Sequence, residues 1–115
     1  MSMLDWNLYR KQIISGVAGL AKLTPDTLRG YSAMGAAGQK TGHLDARTRE
    51  LIALAVAVSL RCDGCITVHV DAAKRLGATG DQIAEALGVA ASINAGATIV
   101  YATRALDAFA ALEQG

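Results

Sequence analysis

Residues 49–77, RELIALAVAVSLRCDGCITVHVDAAKRLG, set an unbroken apolar run ahead of a closely spaced cysteine pair. From Leu51 to Val58 every residue is apolar and half-buried strand alternation is absent. The frequent alanines favour helix, and a helix that is apolar all round is one packed on every side. The pattern resets over Ser59 to Cys62. A second helix is expected from about Asp63 to Leu76, with Gly77 as its C-terminal stop. Two helices joined by so short a turn fold back antiparallel.

The same grammar extends outward. Asp45 is placed to cap the helix that carries Leu51 to Val58. Upstream, a first helix is expected from about Leu4 to Lys22, with Trp6, Ile13, Val17 and Leu20 at helical spacing. Thr24-Pro25-Asp26 starts the next: a hydroxyl cap, proline at the first helical position and an acid in the first turn. That helix is expected to fade near Gly35 to Gly38 into a glycine-containing loop through Gly42. Downstream, Thr79-x-x-Gln82 is a capping box opening a helix through about Ile93. Asn94-Ala95-Gly96 is expected to break or kink it before a last helix, Ala97 to about Leu112. With no internal repeat and no linker, residues 1–115 read as a single all-α domain of about five to six helices.

Composition narrows the function classes. The chain has 115 residues and a formal net charge of +1, so no global field draws it to nucleic acid or acidic lipid. Its few aromatics do not make a base-stacking platform. Apolar residues make up 52% and charged residues 18%, with twelve glycines and one proline, which excludes disorder and collagen. A small domain this apolar is expected to bury surface against copies of itself. The N-terminal MSMLDWNLYRKQ has no secretory pattern, so a cytoplasmic location is expected. The uncharged run 86–103 reaches the lower edge of membrane-span length, but Ser92, Asn94, Thr98 and two glycines favour a helix buried in an oligomer over a membrane span.

Chemistry concentrates in the opening stretch. Cys62-Asp63-Gly64-Cys65 is a CxxC at a helix start, where exposed N–H groups and the positive end of the dipole favour the thiolate, the reactive form. His69 lies four residues after Cys65, on the same helix face, where an imidazole can take the thiol proton. Glu50 and His69 lie nearly equidistant from the turn, so an antiparallel pair brings them level. A carboxylate beside a histidine orients the ring for a proton relay. The dipole favours Cys62 as nucleophile and the His69 spacing favours Cys65, and these residues alone do not rank the two.

Other readings of the same residues are weaker. Zinc on Cys62, Cys65, His69 and His43 lacks a second CxxC or an HxxxH, and His43 reads as a surface loop residue. Covalent haem needs a histidine where Ile66 stands. A thioredoxin-type fold needs strands around the motif.

Glu50, eleven residues, then Cys-x-x-Cys-x-x-x-His resembles the signature of the carboxymuconolactone decarboxylase-like superfamily in its alkylhydroperoxidase AhpD-like branch. The flanks agree: Gly42-His43-Leu44-Asp45-Ala46-Arg47-Thr48-Arg49-Glu50-Leu51-Ile52 on one side, Arg75-Leu76-Gly77-Ala78-Thr79 on the other. The resemblance covers about residues 23–109. It implies a compact AhpD-like helical domain that assembles as homo-trimers or homo-hexamers and acts as a thiol-dependent peroxidase without a bound cofactor. It also ranks the cysteines. Glu50 and His69, with a water, would deprotonate Cys65, which attacks peroxide, and Cys62 would close the disulfide. A thiol reductant such as a dihydrolipoyl group would complete the cycle. The branch's namesake has a histidine immediately before the second cysteine, where this chain has Gly64. The decarboxylase branch lacks the cysteine pair, which sets its lactone chemistry second. A non-enzymatic oligomer that binds metal or senses oxidants is the third reading.

Overall fold

The computed structural model describes residues 2–115; Met1, the first residue of the N-terminal stretch read for a targeting signal, lies outside them. Five helices follow one another: α1 (Trp6–Leu23), α2 (Pro25–Thr41), α3 (Ala46–Ser59), α4 (Asp63–Arg75) and α5 (Gly80–Gln114), with no strand among the described residues. The all-α expectation holds.

Local chemistry accounts for most boundaries. Asp5 accepts a hydrogen bond from the backbone N–H of Leu8 and starts α1 at Trp6, two residues later than expected. Pro25 occupies the first turn of α2. Asp45 accepts from the Thr48 N–H at 2.8 Å to open α3. Thr79 and Gln82 make the reciprocal capping box of α5 at 3.1 and 3.0 Å. Gly77 takes a left-handed conformation (φ 87°) just past the end of α4.

Two expected helix interruptions are absent, each for a tertiary reason. Helix α2 does not fade at Gly35 to Gly38 but runs to Thr41 and stops at Gly42, whose φ is 68°. Gly38 serves close approach instead of a turn: a Cβ there would stand 2.8 Å from Cδ of Arg49. Nor does Asn94-Ala95-Gly96 break α5, which is continuous for 35 residues. The Asn94 amide donates to the Ala90 carbonyl and to Oγ of Ser59, both at 2.8 Å. The side chain thus ties α5 to the end of α3.

The core lies where α3 packs on α4 and α5, around Leu54, Ala57, Thr67 and Ala73. Helix α3 is not enclosed on every side as its composition suggested: Leu54 is 1% exposed, but Ile52 and Val56 are about half exposed at 49% and 51%. Helix α1 lies against α4 and α2. The radius of gyration is 18.9 Å, where a compact chain of this length has about 13 Å. Much of the excess comes from α5, whose residues from Ala97 onward are all exposed.

Candidate active site

The turn between α3 and α4 positions the cysteines. Leu60 ends α3, Arg61 adopts a left-handed conformation (φ 54°), and the Cys62 N–H donates back to the Ala57 carbonyl at 3.0 Å. This reversal puts Cys62 at the N-cap of α4, where its Sγ accepts from the Cys65 N–H at 3.2 Å. Cys62 and Cys65 are joined as a disulfide, their Cα atoms 5.3 Å apart. The oxidised end-state of a dithiol cycle is therefore compatible with this helix start.

The antiparallel packing of α3 on α4 brings Glu50 level with His69. Glu50 Oε2 lies 2.7 Å from His69 Nδ1, and both side chains are about a quarter exposed. A carboxylate only accepts, so Nδ1 carries the hydrogen, and Nε2 is the nitrogen left free of this bond. Two arginines hold the surrounding frame. Arg47 donates from Nε to the Leu76 carbonyl at 3.0 Å, tying the start of α3 to the end of α4. Arg49 donates to the Leu44 carbonyl and sits over Gly38 of α2. Their structural use was not read from the sequence.

Both cysteines and His69 face one cavity of about 540 Å³. Its opposite wall is α1, which contributes Tyr9, Ile13, Ile14 and Val17, with Tyr31 of α2 at one side. Glu50 does not line this space and meets it only through His69. Helix α1 is anchored on α4 by the buried Thr67, whose hydroxyl donates to the Trp6 carbonyl at 3.3 Å. A Cβ on Gly64 would stand 3.4 Å from Cδ1 of Ile13, so the Ile13 side chain packs directly over the residue between the cysteines. The α1 wall is the part of the site the sequence reading missed. Its signal was present in the four-residue spacing of Tyr9, Ile13 and Val17, without indication of what that face covers.

His43 sits exposed on the loop between α2 and α3, apart from this cavity. Among the described residues no three His, Cys, Asp or Glu side chains gather as a metal-binding group. A second cavity, about 430 Å³, lies between Trp6 and Arg10 of α1 and Val70 and Lys74 of α4, and contains neither cysteine.

Comparison with known proteins adds four relationships. Residues 25–108 match the model of the "Carboxymuconolactone decarboxylase family". An uncharacterized protein of Haemophilus influenzae is 43% identical over 105 residues, spanning 91% of this chain and 93% of that one. An uncharacterized protein of the cox locus of Paracoccus denitrificans is 52% identical over 65 residues, spanning 56% of this chain and 59% of its own. The crystal structure of an apo carboxymuconolactone decarboxylase family protein from Legionella pneumophila superposes with a TM-score of 0.72. Its sequence is 38% identical, and the match covers 90% of this chain and 93% of that one.

Proposed function

The chain belongs to the carboxymuconolactone decarboxylase family, and we propose that it is an AhpD-like thiol-dependent peroxidase working through the Cys62–Cys65 pair. The observation that carries this reading is the convergence on one cavity of a disulfide-capable pair and a histidine backed by a carboxylate. The CxxC also sets the chain apart from the lactone chemistry for which the family is named.

In the proposed cycle, Nε2 of His69 takes the Cys65 thiol proton, directly or through a water, while Glu50 holds the ring from Nδ1. The Cys65 thiolate attacks the distal oxygen of a hydroperoxide. The O–O bond breaks, the alkoxide leaves with a proton as an alcohol, and Cys65 becomes a sulfenic acid. Cys62 then attacks that sulfur, expelling water and forming the disulfide. One hydroperoxide and two thiols give one alcohol, one water and one disulfide. A dithiol such as a dihydrolipoyl group restores the thiols by exchange. The partners of this reading are thus a small peroxide and a thiol or lipoyl reductant, in the cytoplasm, with no bound cofactor.

Assembly as a homo-trimer or homo-hexamer belongs to the same proposal. The chain exposes 8914 Å², whereas a folded monomer of 11.9 kDa exposes about 6,000 Å². The excess is of the size that obligate interfaces cover, and Ile99, Val100, Tyr101 and Phe109 of α5 are among the exposed large apolar side chains. Helix α5 is also long and apolar enough to cross a membrane by length and composition. However, it carries Arg104, Asp107 and Glu113, and Asn94 binds it to Ser59.

The test is a peroxide pulse on the reduced protein, followed by intact-mass measurement with and without dihydrolipoamide. Loss of two thiols per chain, gain of the 62–65 disulfide and recovery with the dithiol are expected. Retention of both thiols, or a Cys65→Ser variant that turns over peroxide like the parent, overturns the reading.

A further inference from the structure

We infer that the second cavity, between Trp6 and Arg10 of α1 and Ile66, Val70 and Lys74 of α4, is a binding site for a small organic acid, a single carboxylate carried on an apolar body.

The cavity is built from two columns of side chains. Trp6 and Arg10 stand four residues apart on α1, and Ile66, Val70 and Lys74 follow the same spacing on α4. Each helix thus turns one face toward the space between them. Each column begins apolar and ends in a cation. The Thr67 hydroxyl, bonded to the Trp6 carbonyl, holds the two walls together, so the space does not need a ligand to form. No lining residue is shared with the cavity that holds the cysteines, which takes Cys65, Val68 and His69 from α4.

Charge selects the sign of the ligand. Among the described residues neither Arg10 nor Lys74 joins an ion pair. Asp71, the acid on the cavity wall, is already engaged by Nε of Arg75 at 3.0 Å. Asn7 Oδ1 accepts from Nη2 of Arg10 at 3.1 Å, which steadies the guanidinium. The remaining N–H groups of its fork match the two oxygens of a carboxylate, and Lys74 adds a mobile point charge. An organic cation, which an indole alone would attract, meets repulsion from both side chains. An inorganic anion gains nothing from Trp6, Ile66 and Val70. An acid with a hydrocarbon body uses both halves of the wall, and 430 Å³ falls in the lower part of the range of small-molecule sites, roughly 300–1,000 Å³.

Trp6 is the chain's single tryptophan, so its emission reports on this wall directly. Titration of the full chain with sodium octanoate is expected to change that emission saturably, with a Kd of about 0.1–1 mM. Octan-1-ol, octyltrimethylammonium, acetate and inorganic phosphate, at matched ionic strength, are each expected to bind at least about tenfold more weakly. Arg10→Gln is expected to lose about tenfold in octanoate affinity and Lys74→Gln severalfold, with melting scans showing that both variants remain folded. In methyl spectra of isoleucine- and valine-labelled parent protein, octanoate is expected to shift Ile66 and Val70 and to leave Ile13 and Val17 in place. Absence of saturable binding overturns the inference, as does an octan-1-ol or octyltrimethylammonium affinity equal to that of octanoate. Acetate or phosphate binding as tightly as octanoate removes the apolar half of the site and overturns it too. Folded Arg10→Gln and Lys74→Gln variants that both bind like the parent, or methyl shifts confined to Ile13 and Val17, place the ligand elsewhere and also overturn it.

Discussion

Glu50 and His69 come from antiparallel helices and meet at 2.7 Å, with the histidine alone reaching the cavity that holds the cysteines. This order, carboxylate behind imidazole and imidazole before sulfur, makes the two residues separable by mutation. Glu50→Gln keeps the size of the side chain and can still bond the ring, but no longer fixes which nitrogen carries the hydrogen. Oxidation of the reduced pair by peroxide, followed by single-turnover thiol loss, is expected to slow by about 10²-fold in Glu50→Gln and at least as much in His69→Ala. Equal rates in parent and Glu50→Gln would remove the carboxylate from the relay.

Asp45 gives a pH-dependent handle on the helix that carries Glu50. Hydrogen bonds from the Thr48 backbone N–H and then its side chain hold the Asp45 carboxyl below its ordinary range. A carboxyl whose folded-state value is depressed contributes stability above its unfolded pKa, near 3.9, and loses it as pH falls through the folded value. Asp45→Ala is therefore expected to lower the Tm at pH 7. The gap between parent and variant should shrink as pH drops below about 4. Thermal melts at pH 7, 5 and 3 test this, and a gap that widens toward acid contradicts the cap.

What the sequence disclosed and what it withheld divide along physical lines. Asp45, Thr79 with Gln82, and Gly77 were legible because a cap or a left-handed stop is chemistry within four residues. The Glu50–His69 meeting was legible because two helices around a short turn have a predictable register. The glycines of α2 misled because glycine serves equally as a helix stop and as space for a neighbour, and Gly38 is space for Arg49. Asn94 misled because its preference for breaking helices depends on its finding no better partner than local backbone, and Ser59 supplies one. The α1 wall was out of reach for a related reason. An apolar stripe shows that a helix packs, while the CxxC turn against which Ile13 packs is a property of the whole fold.

Arg61 combines a large side chain with a φ of 54° immediately before Cys62. A left-handed residue other than glycine costs roughly 1–2 kcal/mol, partly offset by the greater unfolded-state freedom a glycine brings. Arg61→Gly is thus expected to stabilise the protein by on the order of 0.5–1 kcal/mol. A rise in the urea midpoint with an unchanged slope is the reading that agrees. A fall would mean that the arginine side chain makes a compensating contact in the assembled protein.

The exposed half of α5 gives the sharpest test of assembly. Val100 is 71% exposed, and every residue from Ala97 onward is open to solvent in the single chain. A charge placed there disturbs no packing within the chain, so Val100→Asp costs an isolated monomer almost nothing. If copies of the chain cover this face, the same substitution buries an unpaired carboxylate at an interface, which is strongly unfavourable. Sedimentation equilibrium is expected to give a multiple of 11.9 kDa for the parent and a smaller species for Val100→Asp, with a lower, concentration-dependent Tm. A parent that sediments as one chain would leave the apolar half of α5 without a second copy to cover it. An assembled variant with an unchanged Tm would place the interface elsewhere on the molecule.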